Sequence, residues 1–457
     1  MFIFELFSWQ FTEMKIVIVG AGAVGRHLAM LLAHENVETT LMDEDSGRLE
    51  SLRENYDLLI HKGKPASIKD LKEVRVEKAD LFIAVTPYES VNVTACMIAN
   101  NLGAKATLAR VDNYEYIQPK NKLFFEQLGV NHLIYPEMLA GREIAESLKT
   151  SWIRQYLSFC NGAVILIACK VRRGSVILNK QFKNGYFNHN KYRIVAIKRK
   201  TNTIIPKGED EIKENDMVYF MTMPENLDFV REQAGKEDYE IKNIMFMGGS
   251  RIVKEAIYQL PGHVRKKILE RDKEKCVQLV DEFEDVFVIN ADARDIEILK
   301  EEGIKDTHVF VAATSNTEAN ILACLAAKRL GVRRSIAEVE NIDYIALAES
   351  LDIGTVINKK IITASYIYQI TLDADVLNVQ NLTYVDAEVV EFMVKEKSKI
   401  TRSKIKDIRL PEQVNIGGII RNGKGFVVDG DTQVKAGDDV VAFCPARKIR
   451  ELESFFL

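Results

Sequence analysis

Only six cysteines (Cys96, Cys160, Cys169, Cys276, Cys324, Cys444) occur in 457 residues, with no CxxC pair and no Cys/His cluster. Neither a zinc site nor a disulfide framework is indicated; no metal is expected, and a reducing, cytoplasmic compartment fits. Charge of one sign is also missing. Lys and Arg number 62 against 66 Asp and Glu, for a formal net charge of −4. With no global basic field, no nucleic-acid partner is expected. No uncharged apolar stretch reaches the roughly 18 residues of a membrane span. The longest, Gln155 to Cys169, is broken by Ser158, Asn161 and Gly162 and reads as a helix end followed by a buried strand. The chain is therefore not expected to be a channel or transporter itself. The opening MFIFELFSWQFTE carries no basic n-region and no small-residue cleavage site, which argues against a signal peptide. Met14 directly precedes a strand-like run. It is read as the usual start, with residues 1–13 an upstream extension, in preference to a short amphipathic anchor.

What is present is ordinary globular composition, 47% apolar and 28% charged, at a length worth about three domains. The chain also contains itself twice. Phe82-Ile-Ala-Val-Thr86 matches Phe310-Val-Ala-Ala-Thr314 at a displacement of 228 residues; Gly20/Gly248, Asn92/Asn320, Ala95-Cys96/Ala323-Cys324 and Leu102-Gly103/Leu330-Gly331 keep the same register. A second block, Ile194 to Arg199, matches Ile416 to Arg421 at 222, and Gly208, Asp216 and Val218 meet Gly430, Asp438 and Val440 there. The order is A–B–A–B, four small domains rather than three.

Unit A alternates strand and helix. Lys15–Val19, Thr39–Met42, Leu58–Ile60, Leu81–Val85 and Thr107–Val111 read as strands. Ala23–Ala33, Ser46–Tyr56 (Ser46 as cap), Ser67–Val74 and Val91–Leu102 read as helices. That alternation predicts an α/β fold with a doubly wound, Rossmann-like parallel sheet. Unit B, with short β-like runs at Val164–Val171, Tyr192–Ile197 and Met217–Met221, predicts a small α+β module. A helix from Glu137 to Tyr156, opened by Pro136, would connect the two, and the charged segment 226–241 would be the main linker. The expected boundaries are 14–135 for the first nucleotide-binding domain, 136–157 for its connecting helix and 158–225 for the first small module. They are 242–357, 358–375 and 376–457 for the second set.

Gly20-Ala21-Gly22-Ala23-Val24-Gly25 sits between a strand and a helix, the context a G-x-G-x-x-G phosphate loop requires. Gly20 permits the turn, Gly22 admits a pyrophosphate to the backbone, and Gly25 lets helix and strand pack closely. The N–H groups of Ala23 and Val24 would face the phosphates. Asp43 ends the second strand, where an acid accepts ribose hydroxyls, and Asp45 is near enough to share that task; a carboxylate there favours NAD(H) over NADP(H). Thr86 ends the fourth strand at the crevice. Arg110 ends the fifth and would reach either ligand phosphate or a neighbouring Asp112 or Glu115. The second copy reads Gly248-Gly249-Ser250-Arg251-Ile252-Val253, with Ser250 and Val253 in place of glycines. A serine Cβ crowds a pyrophosphate and a valine separates helix from strand. Glu270 keeps the acid, Thr314 matches Thr86, and Glu338 reverses the charge of Arg110.

These features together resemble the RCK (regulator of K⁺ conductance) family. The tandem order resembles the TrkA family of peripheral, cytosolic subunits of bacterial Trk potassium-uptake systems. The resemblance runs from Met14 to Leu457. It implies an RCK C-terminal module after each Rossmann-like domain, and nucleotide-regulated gating rather than enzymatic catalysis. It implies NAD(H) as ligand, with ATP and ADP as further ones, and a homotetramer at the inner face of the cell membrane beneath a Trk-type potassium channel. The family's nucleotide contacts fall here on Gly20 to Val24, Asp43, Asp45, Thr86 with Pro87, and Arg110. In the second unit they fall on Gly248 to Ile252, Glu270, Asp292 and Thr314. The competing reading, an NAD-dependent oxidoreductase, needs a general acid or base beside the nicotinamide and a substrate domain. No Ser/His/Asp or Lys/His set repeats with the duplication. A transcription regulator would need a helix-turn-helix or basic patch, and neither is evident.

Overall fold

The computed structural model describes residues 14–33, 37–53, 58–184, 187, 190–200, 202–371, 376–382, 387–445 and 448–456. The upstream segment 1–13 therefore lies outside the described residues. The chain divides into two compact units, 1–136 and 137–457.

In the first unit, strands β1 (Met14–Val19), β2 (Val37–Asp43), β3 (Leu59–Lys62), β4 (Leu81–Ala84), β5 (Ala106–Arg110) and β6 (His132–Ile134) form one parallel sheet in the order β3-β2-β1-β4-β5-β6. Helices α1 (Ala23–Leu32), α2 (Ser46–Arg53), α3 (Ile68–Glu73), α4 (Glu89–Leu102) and α5 (Lys122–Gln127) accompany it. Ile16 to Val19 are buried without alternation, as a strand covered on both faces must be. The order reverses between β1 and β4, which makes the crevice above them the ligand position of a doubly wound sheet. Ser46 is not the cap of α2: Asp45 Oδ1 accepts the Gly47 N–H at 2.9 Å, because its carboxylate stands one residue earlier.

The second unit begins within α6 (Pro136–Ser147), after its first residue. The expected helix through Tyr156 is cut short. From Gln155 the chain is strand, β7 (Gln155–Phe159) and β8 (Val164–Lys170) pairing antiparallel. Cys160, Asn161 and Gly162 take positive φ and turn the hairpin. Both faces of β8 are buried: Ile165, Ile167 and Cys169 in one cluster, Val164, Leu166 and Ala168 in another. With β9 (Tyr192–Arg199), β10 (Asn202–Ile204) and β11 (Met217–Thr222) they form a five-stranded sheet, β10-β9-β11-β8-β7. The expected linker 226–241 contains α7 (Leu227–Gln233), docked through fully buried Val230 and Ala234 on this module's core.

A second parallel sheet follows: β12 (Asn243–Met247), β13 (Arg265–Glu270), β14 (Val286–Asn290), β15 (Val309–Ala312), β16 (Arg334–Glu338) and β17 (Thr355–Ile357), ordered β14-β13-β12-β15-β16-β17. Its helices are α8 (Arg251–Gln259), α9 (Lys273–Glu282), α10 (Ile296–Glu301), α11 (Thr317–Arg329) and α12 (Ile345–Ser350). The connecting α13 (Lys359–Thr371) leads to β18 (Val376–Asn381), β19 (Glu388–Met393), β20 (Asn415–Arg421), β21 (Lys424–Val427) and β22 (Asp439–Cys444), then α14 (Ile449–Glu453). This last sheet repeats the first small module strand for strand. The duplication extends to a buried pair: Arg199 grips Asp216 and Arg421 grips Asp438, each bidentately.

The two small modules share one core, in which Leu166, Val195 and Met221 of the first meet Val389, Ile420 and Phe443 of the second. Gly425 makes that approach possible, since a Cβ there would stand 2.1 Å from the Ala163 carbonyl oxygen. The first small module is also tied to the second parallel-sheet domain. Asp352, in left-handed conformation after α12, receives Lys170 at 3.0 Å, Lys328 at 3.2 Å, Arg154 at 3.7 Å and Arg172.

Candidate functional site

The loop after β1 enters the crevice through Gly20, at φ +106°, where a Cβ would stand 2.9 Å from the Thr86 nitrogen. Gly25 is the tightest point: a Cβ there would lie 1.9 Å from the Gly20 carbonyl oxygen. Gly22 differs, because a Cβ at that position meets nothing within 4 Å among the described residues. Its glycine therefore leaves open room beside the loop rather than relieving a protein contact. Helix α1 has no side-chain cap at Gly22, so the first-turn N–H groups of Ala23 and Val24 are left for an anion.

Asp43 is buried and braces the loop from the side. Its Oδ2 accepts the Ala21 N–H at 2.6 Å and its Oδ1 accepts the Asp45 N–H at 2.9 Å. A carboxylate has about four lone-pair positions, so hydroxyls can still be received. Asp45 sits further out, and Arg48 approaches it at 3.5 Å and Asp43 at 3.9 Å. Arg110 Nη2 donates to Asp112 at 3.1 Å, while its buried Nε has no hydrogen-bond partner among the described residues. The salt bridge and an anion-seeking group thus coexist in one side chain. Pro87 is exposed on the turn that follows Thr86.

Thr86 is held by a residue to which the sequence assigned no role. Asn92, fully buried on α4, accepts from the Thr86 N–H (2.9 Å) and hydroxyl (2.7 Å), and donates to the Thr86 and Arg110 carbonyls. One amide thereby fixes the ends of β4 and β5 around the crevice. Asn320 makes the same four bonds to Thr314 and the Glu338 carbonyl. The recurrence of Asn at the 228 displacement was the visible signal.

The second loop keeps the frame and changes the chemistry. Gly249 N–H donates to Glu270 Oε2 at 2.8 Å, and Asp272 N–H to Glu270 Oε1 at 2.9 Å. Burial raises the Glu270 pKa, but those N–H groups and Lys275 outweigh it and hold the carboxyl below its ordinary value. Ser250 caps its own helix: its Oγ accepts the Val253 N–H at 3.4 Å. The serine oxygen stands in for an incoming anion at a group that α1 leaves free. Val253 is buried among Ile244, Phe246 and Leu279 in the place of Gly25. Ile252 faces the same core, and Arg251 lies half-exposed, 3.9 Å from Glu137. A cleft of about 460 Å³ remains, lined by Gly248, Ser250, Glu270, Lys275, Asp292 and Thr314. Asp292 is clamped by Arg294, which holds its carboxyl down to about 2. Glu338, where the first copy has Arg110, faces Lys359 at 3.6 Å, and Lys359 also meets Glu340 at 2.7 Å. The charge reversal thus serves a buried ion cluster at the start of α13. The basic residues of the second cleft, Arg271, Lys275 and Arg294, carried no motif and were not singled out from the sequence.

A family model of the TrkA-N domain matches residues 16–136 and 244–359, and one of the TrkA-C domain matches 389–457. The chain belongs to the TrkA family. It is 30% identical over 451 residues to the Trk system potassium uptake protein TrkA of Haemophilus influenzae, covering 97% of this chain and 98% of that one. It is likewise 30% identical to TrkA homolog 1 of Methanosarcina mazei, covering 97% and 100%. Among solved structures, the GsuK RCK domain aligns at TM-score 0.58 and 16% identity over 98% of this chain and 96% of that one. The GsuK channel bound to NAD aligns at 0.57 and 15%, over 98% and 79%. At such identity the likeness concerns the fold: two Rossmann-like domains, each followed by an RCK-type small module. No helix among the described residues is long and apolar enough to cross a membrane.

Proposed function

We propose that this TrkA family member is a cytosolic, non-enzymatic regulatory subunit that gates a Trk-type membrane potassium-uptake channel in response to NAD(H) and adenine nucleotides. It would act at the inner face of the cell membrane as a homotetramer. The observation that carries this reading is the unfilled first loop. Among the described residues, Gly22 borders open space, α1 is uncapped, and Arg110, at the end of β5, holds a buried Nε with no hydrogen-bond partner. In this reading the pyrophosphate lies on the N–H groups of Ala23 and Val24, with Gly20, Ala21 and Gly25 shaping the turn. Asp43, with Asp45, takes the ribose hydroxyls, Thr86 and Pro87 bound the crevice, and Arg110 closes on phosphate. The second set, Gly248 to Ile252, Glu270, Asp292 and Thr314, binds more weakly, because Ser250 already occupies a helix N–H. A bound nucleotide gates only by its different affinity for two states of the assembly. No residue of this chain is assigned a catalytic step.

The test is calorimetric titration of the full chain with NADH, NAD⁺, ATP and ADP, read as stoichiometry. One NADH per chain is expected. Two would refute the argument from Ser250. No binding of any nucleotide, or steady NADH consumption with a small substrate, would sink the proposed function.

A further inference from the structure

The cysteine pattern pointed to no metal, because the residues that matter are 231 and 279 positions apart. The hairpin turn between β7 and β8 brings Cys160 to the face of the second small module. Its Sγ lies 2.8 Å from Glu391 Oε1 on β19 and 3.1 Å from Asp439 Oδ2 on β22. All three donor atoms lie within 4.8 Å of one another. Glu391 is 3% exposed, so one of these carboxylates has been taken almost wholly out of water.

A lone thiol accounts poorly for this arrangement. Separations of 2.8 and 3.1 Å are those of O–H···O and N–H···O bonds, and sulfur is larger than either donor. The single S–H proton can point at only one carboxylate, yet both are drawn to the same sulfur. A tetrahedral ion with bonds of about 2.3 Å to sulfur and about 2.0–2.2 Å to oxygen places sulfur and oxygen roughly 3.5 Å apart. Both sulfur–oxygen pairs reach that spacing by moving apart less than an ångström.

Packing does not ask for these residues. The two small modules share one topology, and the positions of Glu391 and Asp439 correspond, by strand register, to Ala168 and Met217 of the first module. Ala168 and Met217 lie in or against the shared apolar core. One copy of the fold therefore closes this face with hydrocarbon, and the other has placed two carboxylates there opposite a thiol.

We propose that Cys160, Glu391 and Asp439 bind a divalent transition metal of the zinc class, with water in the remaining position. The thiolate selects such an ion over Mg²⁺ or Ca²⁺, which take oxygen ligands. Binding exchanges the thiol proton, released to solvent, for the cation. The two negative charges on the carboxylates become one net negative charge on the loaded site, and no redox partner is involved. The ion clips the β7–β8 turn of the first small module to two strands of the second.

The experiment uses the full chain, stripped of metal by a chelator and titrated with Co²⁺. A near-ultraviolet thiolate-to-cobalt charge-transfer band saturating at one Co²⁺ per chain is expected, displaced by Zn²⁺ and not by Mg²⁺. Cys160→Ser should abolish the band. Glu391→Gln should weaken Co²⁺ binding tenfold or more while leaving the sulfur band at saturation. Urea unfolding of metal-free variants, within error of the parent, checks that both have folded. Absence of the band at millimolar Co²⁺, or its survival in Cys160→Ser, would overturn the assignment.

Discussion

At the residue scale, three glycine positions of one motif do three different jobs, and substitution separates them. Gly22→Asp places a carboxylate in open space at φ −69°. NADH affinity should fall at least 100-fold through charge and steric conflict with pyrophosphate, with the unfolding midpoint nearly unchanged; unaltered affinity would refute the assignment of the first site. Gly25→Ala drives a methyl group into the Gly20 carbonyl. It should cost about 2–3 kcal/mol of stability, an overpacking penalty, read from urea denaturation. In the second loop, Ser250→Gly frees the Val253 N–H at a cost of a few tenths of a kcal/mol in helix capping. Nucleotide affinity there should rise several-fold, and titration calorimetry on a Gly22→Asp background isolates it. The glycines, Asp43 and Glu270 were legible in the sequence because strand, loop and helix follow in fixed order. Where the carboxylate bonds go was not, since Ala21 and Gly249 expose only backbone groups that no residue letter records. Asn92 was visible as a repeat but silent as to role, because a buried amide looks like any other polar residue until its four partners are in place.

At the scale of elements, the buried parallel strands announced themselves as continuous apolar runs bounded by glycine. The segment from Gln155 did not, because an apolar run without periodicity fits a buried helix or a buried strand equally. Tertiary contact decided it: β8 has an apolar core on each side, and the left-handed Cys160-Asn161-Gly162 turn folds it back on β7. Helix α7 was missed for the opposite reason. Seven residues rich in charge hide a single anchoring face, Val230 with Ala234. The junction at Asp352 ties elements far apart in sequence, with one carboxylate against four cations. Together these cations outweigh its burial and bring its pKa far below the ordinary carboxylate range. Asp352→Asn leaves those partly buried cations short of their counter-charge. A loss of about 2–3 kcal/mol is expected, discounted from the 3–5 of a fully buried pair, with the urea midpoint as readout.

At the scale of the whole molecule, the two units should respond differently to pH. Burial pushes the carboxyls of Glu338 and Glu349, both in the second unit, up to about 7. A carboxyl with a raised native pKa binds more protons folded than unfolded, so its contribution is full at acidic pH and is lost as pH rises from near 4.5 to 7. The second unit should lose on the order of 2 kcal/mol over that interval from Glu338 alone. Glu338→Gln should flatten the slope; an unchanged slope would exclude that residue as its source. In the first unit, hydrogen bonds from the Lys64 N–H to Asp70 and, outweighing burial, from Lys105 and the Lys15 N–H to Asp80 hold those two carboxyls below their ordinary pKa, so no such decline arises from them.

The shared core of the small modules has one more implication. When two identical chains pair about a two-fold axis, any side chain placed on one flank must appear on the other. Here both partners are written into a single polypeptide, so the rule is lifted. One flank can stay greasy while its mirror acquires charge and sulfur, and the covalent tether keeps both halves together at any dilution. Fusion therefore gives this family member a freedom denied to a symmetric pair: to specialise one half of an interface without altering the other.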